Sequence, residues 1–300
     1  MSATQLKWVA ALLVVAALGW LISERLAERP DDREVGRLMP ASVEGVDRVV
    51  FDTDAGTIVL ARDGSEWTVN DLPVSQERLG TLFLALSDTA EYEVVAQSPA
   101  MHGRMGVDAS GVQVRFFRGN DQVDYVIFGK RGSDPRAMFA RRDGEDVVYR
   151  YLGSMTELVD LRLDDWRNKV VVNARPETIG RLEVDRPDDR FGLERRADGW
   201  VVLPDVPADS AAVGRWLRNF LPLQATGFAA PATLDSIDLD RPDRRVGLYG
   251  TAGDTIAALE IYGVGTRSSI RSHGNPTVFV LGPGQADRIA PERAGLLPVN

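Results

Sequence analysis

The chain contains no cysteine and only two histidines, His102 and His273. Without cysteine there is no disulfide, no thiolate nucleophile and no cysteine-ligated zinc or iron–sulfur site. Neither histidine belongs to an HxH, HExxH or HxE pattern, so the sequence predicts no histidine-based catalysis or metal binding. The absence of cysteine also fits an oxidising compartment of the cell envelope.

Positive charge is scarce as well. The formal net charge is −9, and no stripe of lysine and arginine with interleaved aromatics is present, so we predict no nucleic-acid partner. The chain also lacks a GxSxG elbow, a dinucleotide-binding fingerprint and a paired-carboxylate motif. The sequence therefore predicts no catalytic residues, no cofactor and no metal.

A single long apolar run is present, from Leu6 to Ile22, interrupted only by Lys7. As a helix with about 1.5 Å of rise per residue it would span roughly 26 Å, close to the ~30 Å hydrocarbon thickness of a bilayer. Trp8 and Trp20 lie where interfacial aromatics are expected. The alternatives are a cleaved signal peptide and a buried core helix, but no small-x-small cleavage site follows. We predict a short tail (1–5) and a transmembrane helix over residues 6–22.

The charges beside this run do not agree on its orientation. Only Lys7 and the amino terminus precede it, whereas four arginines follow: Arg25, Arg29, Arg33 and Arg37. Positive charge alone would leave the body in the cytoplasm, but large domains translocate largely regardless of charge. Because the amino-terminal tail is very short, we expect a single-pass anchor with the body outside the cytoplasm.

The remainder has the composition of a folded protein, with 44% hydrophobic and 26% charged residues. Residues 23–40 are charged and end in proline, which predicts a juxtamembrane linker. A meander of short strands then precedes a helix that begins near Ser75 and has helical spacing at Leu79, Leu82 and Leu86. Further short strands are predicted at Val112–Phe116, Val123–Phe128, Ala137–Ala140 and Val147–Tyr151.

The same order of elements recurs in the second half at a nearly constant offset. Val46 and Trp67 correspond to Ile179 and Trp200, both at an offset of 133 residues, and Gly129 corresponds to Gly263 at 134. Matches in a fixed order at one offset indicate an internal repeat. We predict an α+β fold with two tandem modules, 41–170 and 171–300, each a mainly antiparallel sheet with one principal helix.

Several short motifs resemble the DUF4340 family. They are the Asp-Gly/Trp meanders (Asp63 to Val69, Asp198 to Val202), the segment Gly103 to Asp108, the Phe128-Gly129 strand end and the stretch Leu161 to Lys169. The resemblance implies an anchored protein of the bacterial inner membrane that accompanies ABC-type export or gliding-related machinery. The family brings no catalytic residues to carry over.

Two corresponding glycine-rich, basic loops are the candidate partner- or anion-binding sites. One contains Lys130 and Arg131, and the other contains Arg267. The loops lack Walker spacing, so a solvated hairpin tip is the alternative. Asp52 and Asp54 resemble the start of a calcium loop but lack the expected bidentate acid, which favours a turn.

The sequence thus favours a non-enzymatic envelope protein that binds a membrane partner, such as ABC-transporter subunits. Two alternatives remain open. One is an enzyme acting on envelope glycan or lipid through carboxylates brought together between the modules. The other is a passive spacer.

Overall fold

The computed structural model describes residues 33–36, 38–39, 43–87, 89–263 and 268–298. The predicted tail, the predicted transmembrane helix and most of the predicted linker lie outside these ranges. Within them, no helix is long and apolar enough to cross a membrane. The chain forms two compact units, one ending at Trp166 and the other beginning at Arg167.

The described part of the first unit is built on one ten-stranded antiparallel sheet. Its strands are β1 (Arg33–Gly36), β2 (Arg48–Thr53), β3 (Gly56–Asp63), β4 (Glu66–Val69), β5 (Leu72–Pro73), β6 (Ala90–Ala96), β7 (Val112–Arg118), β8 (Asp121–Arg131), β9 (Met138–Arg142) and β10 (Val148–Leu152). Its helices are α1 (Gln76–Ser87), α2 (His102–Met105) and α3 (Leu163–Trp166), with 3-10 turns at Val43–Gly45, Pro99–Met101 and Ser154–Glu157.

One face of this sheet is apolar because alternate residues along each strand are hydrophobic. Val49, Phe51, Val114 and Phe116 are all at most 1% exposed on that face. Helix α1 covers it with Leu79, Leu82, Ala85 and Leu86. The predicted start of this helix is confirmed, since the Arg78 amide donates a long 3.4 Å bond to Ser75 Oγ.

The second unit contains a nine-stranded antiparallel sheet and a separate two-stranded one. The strands are β11 (Val170–Val172), β12 (Ile179–Asp185), β13 (Arg190–Arg196), β14 (Gly199–Val202), β15 (Val206–Pro207), β16 (Leu223–Gln224), β17 (Gly227–Phe228), β18 (Arg244–Gly250), β19 (Thr255–Tyr262), β20 (Ser268–Ser272) and β21 (Phe279–Leu281). The helices are α4 (Ser210–Leu217), α5 (Pro231–Leu234) and α6 (Gln285–Ile289), with 3-10 turns at Pro176–Thr178, Arg218–Phe220 and Arg293–Leu296.

Helix α4 covers the apolar face of the second sheet, as α1 does in the first unit. Asp209 caps it by accepting hydrogen bonds from the amides of Ala211 and Ala212. The helix then buries Val213 and Trp216 in the core, and the Trp216 indole donates to Ile289 O at 2.9 Å. The opposite side of α4 is exposed at Arg215.

The two large sheets have the same strand order. The first runs β1-β6-β10-β9-β8-β7-β2-β3-β4-β5, and the second, in the same direction, runs β17-β21-β20-β19-β18-β12-β13-β14-β15. Strand β1 of the first sheet has no counterpart in the second. The order is what two copies of one module would give, and the α+β class is confirmed.

Two expectations change in detail. Part of the predicted linker forms strand β1, because the backbone of Arg33–Gly36 pairs with β6. The predicted match of Gly129 with Gly263 is also wrong by one residue. Phe128 and Ile261 occupy equivalent core positions at an offset of 133, so Gly129 corresponds to Tyr262. The sequence favours the shifted match because isoleucine, an aromatic residue and glycine follow one another at both 127–129 and 261–263.

Candidate functional site

The candidate basic loops are only partly described. Lys130 Nζ donates to Arg104 O at 3.1 Å. The Arg131 guanidinium reaches three oxygens: Pro135 O at 2.7 Å, Thr156 O at 3.0 Å and Asp160 Oδ2 at 2.5 Å. Both side chains therefore donate hydrogen bonds to backbone oxygens of neighbouring segments in the first unit. Arg267 lies outside the described residues, and a binding role for these loops stays a prediction.

The tryptophans and Asp52, which the sequence analysis named, contribute to packing and to local hydrogen bonds. Trp200 is 8% exposed in the second core, and Trp67 packs edge-on against Phe83 with ring centroids 5.6 Å apart. Asp52 accepts a hydrogen bond from Thr57 Oγ1 at 2.7 Å and pairs with Arg115. Within the described residues, no group of three or more acidic or histidine side chains could hold a metal ion.

A concave groove of about 740 Å³ lies on the outer face of the second sheet, opposite the face that α4 covers. Strands β12, β13, β18, β19 and β20 form its floor. The core residues Val184, Val246 and Leu259 point away from it, so the residues between them face the groove. The period-two pattern that builds the core thus also decides which side chains line the groove.

Five charged residues cross this face in one row. The strand register places Arg190 opposite Asp185, Asp185 opposite Arg245, Arg245 opposite Glu260 and Glu260 opposite Arg271. Directly opposed residues lie roughly 5 Å apart at Cβ, close enough for charges to interact. Positive and negative side chains therefore alternate across five strands.

Glu260 is the most strongly engaged member of the row. Its carboxylate accepts from Arg271 Nε at 2.5 Å and from the Tyr262 hydroxyl at 3.0 Å, and it lies 3.1 Å from His273 Nδ1. Burial raises the pKa of Glu260, but the hydrogen bonds from Arg271, His273 and Tyr262 outweigh it and hold the pKa below its usual value. Burial and the bond to Glu260 raise the pKa of Tyr262 to about 12. Glu260 is thus a fixed, ionised acceptor.

A second fixed group lies one step along the strands. Arg181 Nη2 is 2.5 Å from Glu183 Oε1, and the Tyr249 hydroxyl donates to Glu183 Oε2 at 3.2 Å. Burial, followed by the charge of Glu183, raises the pKa of Tyr249. The Tyr249 ring lies over Gly247, where a Cβ would come within 2.8 Å of it. Glycine at position 247 is therefore needed to seat the ring that orients Glu183.

Arg190 and Arg245 behave differently from Arg181 and Arg271. Both are exposed, and within the described part of the chain neither guanidinium makes an ion pair or a side-chain hydrogen bond. Asp185, which lies between them, also has no side-chain hydrogen bond to a described residue. The groove thus combines two satisfied carboxylates with two uncommitted guanidinium groups.

Three small residues in the next row of the sheet leave room for the groove. Gly192, Gly247 and Ala258 lie in one row with Glu183 across four strands of the second sheet. The positions equivalent to these three small residues hold Val59, Arg115 and Tyr125 in the first sheet. Larger side chains therefore occupy the three positions of the first sheet that are small in the second.

The outer face of the first sheet is covered by a small hydrophobic cluster. Val107 follows α2 and packs against Ile127 and Val148, away from the main core. Close approach of this segment depends on Gly129, where a Cβ would overlap the carbonyl oxygen of Met105. This contact explains the glycine of the Phe128-Gly129 motif.

An arginine at the same position of both sheets reaches the connecting segment. Arg141 Nε donates to Val107 O at 2.8 Å, and Arg271 Nη2 donates to Leu239 O at 2.8 Å. The partner across the strand is Ile127 in the first sheet and Glu260 in the second. The second sheet thus keeps the bond to backbone and adds a buried ion pair.

Sequence reasoning missed the groove residues. Arg181, Glu183 and Asp185 alternate with buried residues, as do Arg245, Gly247 and Tyr249, so their shared outward face was detectable. The sequence does not show that these residues form one row, because the row depends on the register between strands that are far apart in sequence.

The sequence profile of the DUF4340 family, described as a domain of unknown function, matches residues 67–242. The match covers more than half of the chain, begins in the first unit and ends in the second. A comparison with curated proteins finds no match. On the profile match, this chain belongs to the DUF4340 family.

Proposed function

We propose that this protein is a non-enzymatic, membrane-anchored binding component of the bacterial envelope, and that the groove of the second unit contacts its partner. The observation that carries the proposal is the pair of uncommitted guanidinium groups, Arg190 and Arg245, in a concave groove of about 740 Å³. Pockets of roughly 300–1,000 Å³ with a few converging polar groups are typical of binding sites.

The arrangement differs from a charged surface that only maintains solubility. Glu260 is 8% exposed and is held by three side chains, and Tyr249 and Arg181 hold Glu183. Holding long side chains in one geometry costs conformational entropy. A surface that serves only solubility has no need of this ordering. Preorganised polar groups beside small floor residues favour recognition of another molecule.

The proposed partner is a membrane protein of an ABC-type export or gliding-related complex. This part of the proposal rests on the family resemblance and on the apolar run over residues 6–22, which would anchor the chain in the inner membrane. We also propose that the two units are copies of one module, on the support of their shared strand order.

The carboxylate environment favours binding over hydrolysis of glycan or lipid. A general acid acting at neutral pH needs a raised pKa. The pKa of Glu260 is lowered instead, because Arg271, His273 and Tyr262 stabilise its ionised form beyond the cost of burial. Three donors, from Arg271, Tyr262 and His273, also already contact its two oxygens.

Site-specific photo-cross-linking in native membranes tests the proposal. A benzoylphenylalanine is introduced at Asp240, an exposed residue that lines the groove, and at Arg215 on the exposed side of α4 as the matched control in the same unit. We expect position 240 to cross-link to an ABC-transporter subunit, identified by mass spectrometry, and position 215 not to do so. Equal cross-linking from both positions, or none from position 240, would contradict the proposal.

A further inference from the structure

We infer that the groove recognises an acidic segment of its protein partner, whose carboxylates pair with Arg190 and Arg245. This inference rests on the proposed function and adds the chemistry of the contact. Its basis is the difference within the charge row between the arginine that is already paired and those that are not.

Four carboxylates line the groove, and they differ in their hydrogen bonds and in their position. Asp240 makes no side-chain hydrogen bond to a described residue, but it follows Leu239, whose carbonyl oxygen bonds to Arg271 at the opposite end of the row from Arg190. Glu260 and Glu183 each bond to an arginine and a tyrosine, so a basic ligand would have to displace existing bonds to reach them. Asp185 has no such bonds, but the register places an arginine on each side of it. The segment Arg190–Asp185–Arg245 therefore carries a net positive charge, which attracts an anion.

Arginine suits a carboxylate better than it suits most other groups. Its planar guanidinium offers two parallel N–H donors that match the two oxygens of an aspartate or glutamate. Arg190 and Arg245 are two strands apart, so their backbones lie about 9.6 Å from each other at the usual 4.8 Å strand spacing. Two carboxylates of one peptide segment can span this distance, so one acidic segment can pair with both guanidinium groups.

The floor beside Arg245 allows close approach. Gly247 follows it by two residues on β18, and Ala258 faces Gly247 across the sheet. The Ala258 side chain is short, so a peptide backbone can come near the sheet at this position while its acidic side chains reach the guanidinium groups. The Tyr249 ring covers Gly247 itself and closes one end of this shallow area.

A peptide-binding assay on the whole chain in mild detergent tests the inference. The probe is fluorescein-labelled hexaglutamate, its binding is followed by anisotropy, and labelled hexalysine is the opposite-charge probe. The variant is the double substitution Arg190→Glu with Arg245→Glu. The matched control is Arg215→Glu, which reverses an exposed arginine of the same unit away from the groove.

We expect hexaglutamate to bind, hexalysine not to bind, and the double variant to lose at least roughly tenfold in affinity, as charge reversal at an ion-paired contact does. Arg215→Glu should bind within about twofold of the unchanged chain. Equal loss in both variants would overturn the inference, because it would show a general charge effect. Full competition by inorganic phosphate at matched ionic strength would also overturn it in favour of a free-anion site.

The cross-linking experiment separates this inference from the proposed function. If position 240 cross-links the transporter subunit in both the otherwise unchanged chain and the double arginine variant, the groove is the contact but acidic recognition fails. If position 240 captures no partner in either chain, the proposed function fails. Loss of the cross-link in the double variant alone supports both.

Discussion

The outer faces of the two sheets differ although their strand order is the same. In the first sheet Val107, Ile127 and Val148 cover the face, and Tyr125 fills the row beside them. In the second sheet the corresponding area is a groove with Ala258 on its floor. The cores are apolar in both units, so the difference teaches that the outer face can change without altering the topology.

The physical reason is the two-residue period of a strand. A change at an outward position leaves the buried neighbours in place, because successive side chains point to opposite faces. The first sheet has Ile127 where the second sheet has the charged Glu260. Arg271 lies opposite Glu260 and bonds to it, and Arg141 occupies the equivalent place opposite Ile127. Each of the following measurements compares a substitution in one unit with a substitution in the other unit or with a control.

The largest effect is expected from Gly129→Ala. A Cβ at this position would overlap Met105 O, so the segment that covers the first sheet must move, at a cost of about 1–3 kcal/mol in the free energy of unfolding. The control is Gly132→Ala, since a Cβ there meets nothing within 4 Å. Urea unfolding of the whole chain in detergent, with hydrogen exchange in peptides of each unit, measures the change. Equal destabilisation by both substitutions would contradict the packing argument.

The next effect comes from exchanging residues between the equivalent positions 125 and 258. Tyr125→Ala removes an aromatic ring from the covering cluster and a 2.7 Å hydrogen bond to Gln113, so we expect a loss of about 1–2 kcal/mol. Ala258→Tyr fills the groove and should change stability by less than about 0.5 kcal/mol while weakening hexaglutamate binding. Urea unfolding and peptide anisotropy measure the two results. Similar stability losses for both exchanges would remove the distinction between the faces.

A smaller and pH-dependent effect is expected from Glu260→Gln. The folded-state pKa of Glu260 lies below its ordinary value of 4.5, so its ionised form stabilises the fold at neutral pH. This contribution, about 1–2 kcal/mol, is present above pH 4.5 and is lost as the pH falls through the lower folded-state pKa. The unfolding free energies of the two chains should therefore differ at pH 7 and converge as the pH falls through the folded-state pKa of Glu260. Asp121→Asn, at an exposed position, controls for the loss of one charge, and a pH-independent difference for Glu260→Gln would contradict the sign.

The smallest stability effect is expected from Arg190→Ala, under about 0.5 kcal/mol, because its guanidinium makes no ion pair with a described residue. Thr57→Ala at the equivalent position of the first sheet removes a 2.7 Å hydrogen bond to Asp52, so it should cost more, about 0.5–1 kcal/mol. Arg271→Ala leaves Glu260 buried without its closest donor and should cost about 1–2 kcal/mol. Thermal unfolding of the three variants ranks them, and a large loss for Arg190→Ala would show that its side chain is structural.

The sequence predicted much of the secondary structure for identifiable reasons. Helix α1 was predicted from Ser75 and the spacing of Leu79, Leu82 and Leu86, and the structure buries those leucines. The strand predicted at Val112–Phe116 is confirmed as β7, which runs to Arg118. Local period and turn residues carry such information because they act within a few residues of one another.

The sequence drew attention to the two basic loops, whose binding role stays a prediction, and not to the groove. Lys130 and Arg131 attracted notice because glycines surround them, yet both bond to backbone oxygens in their own unit. Arg190 and Arg245 lie 55 positions apart in sequence and carried no local motif. Only pairing of both strands with β12 places them on either side of Asp185.

The sequence by itself determined the apolar run, the acidic charge, the α+β class and the recurring order of elements, because each follows from composition or short-range pattern. The tertiary structure alone decided which side chains share a row, which face is covered and which arginines remain uncommitted. The reason is that strand register joins residues far apart in the chain, and a shift of one residue would turn every side chain of a strand to the opposite face.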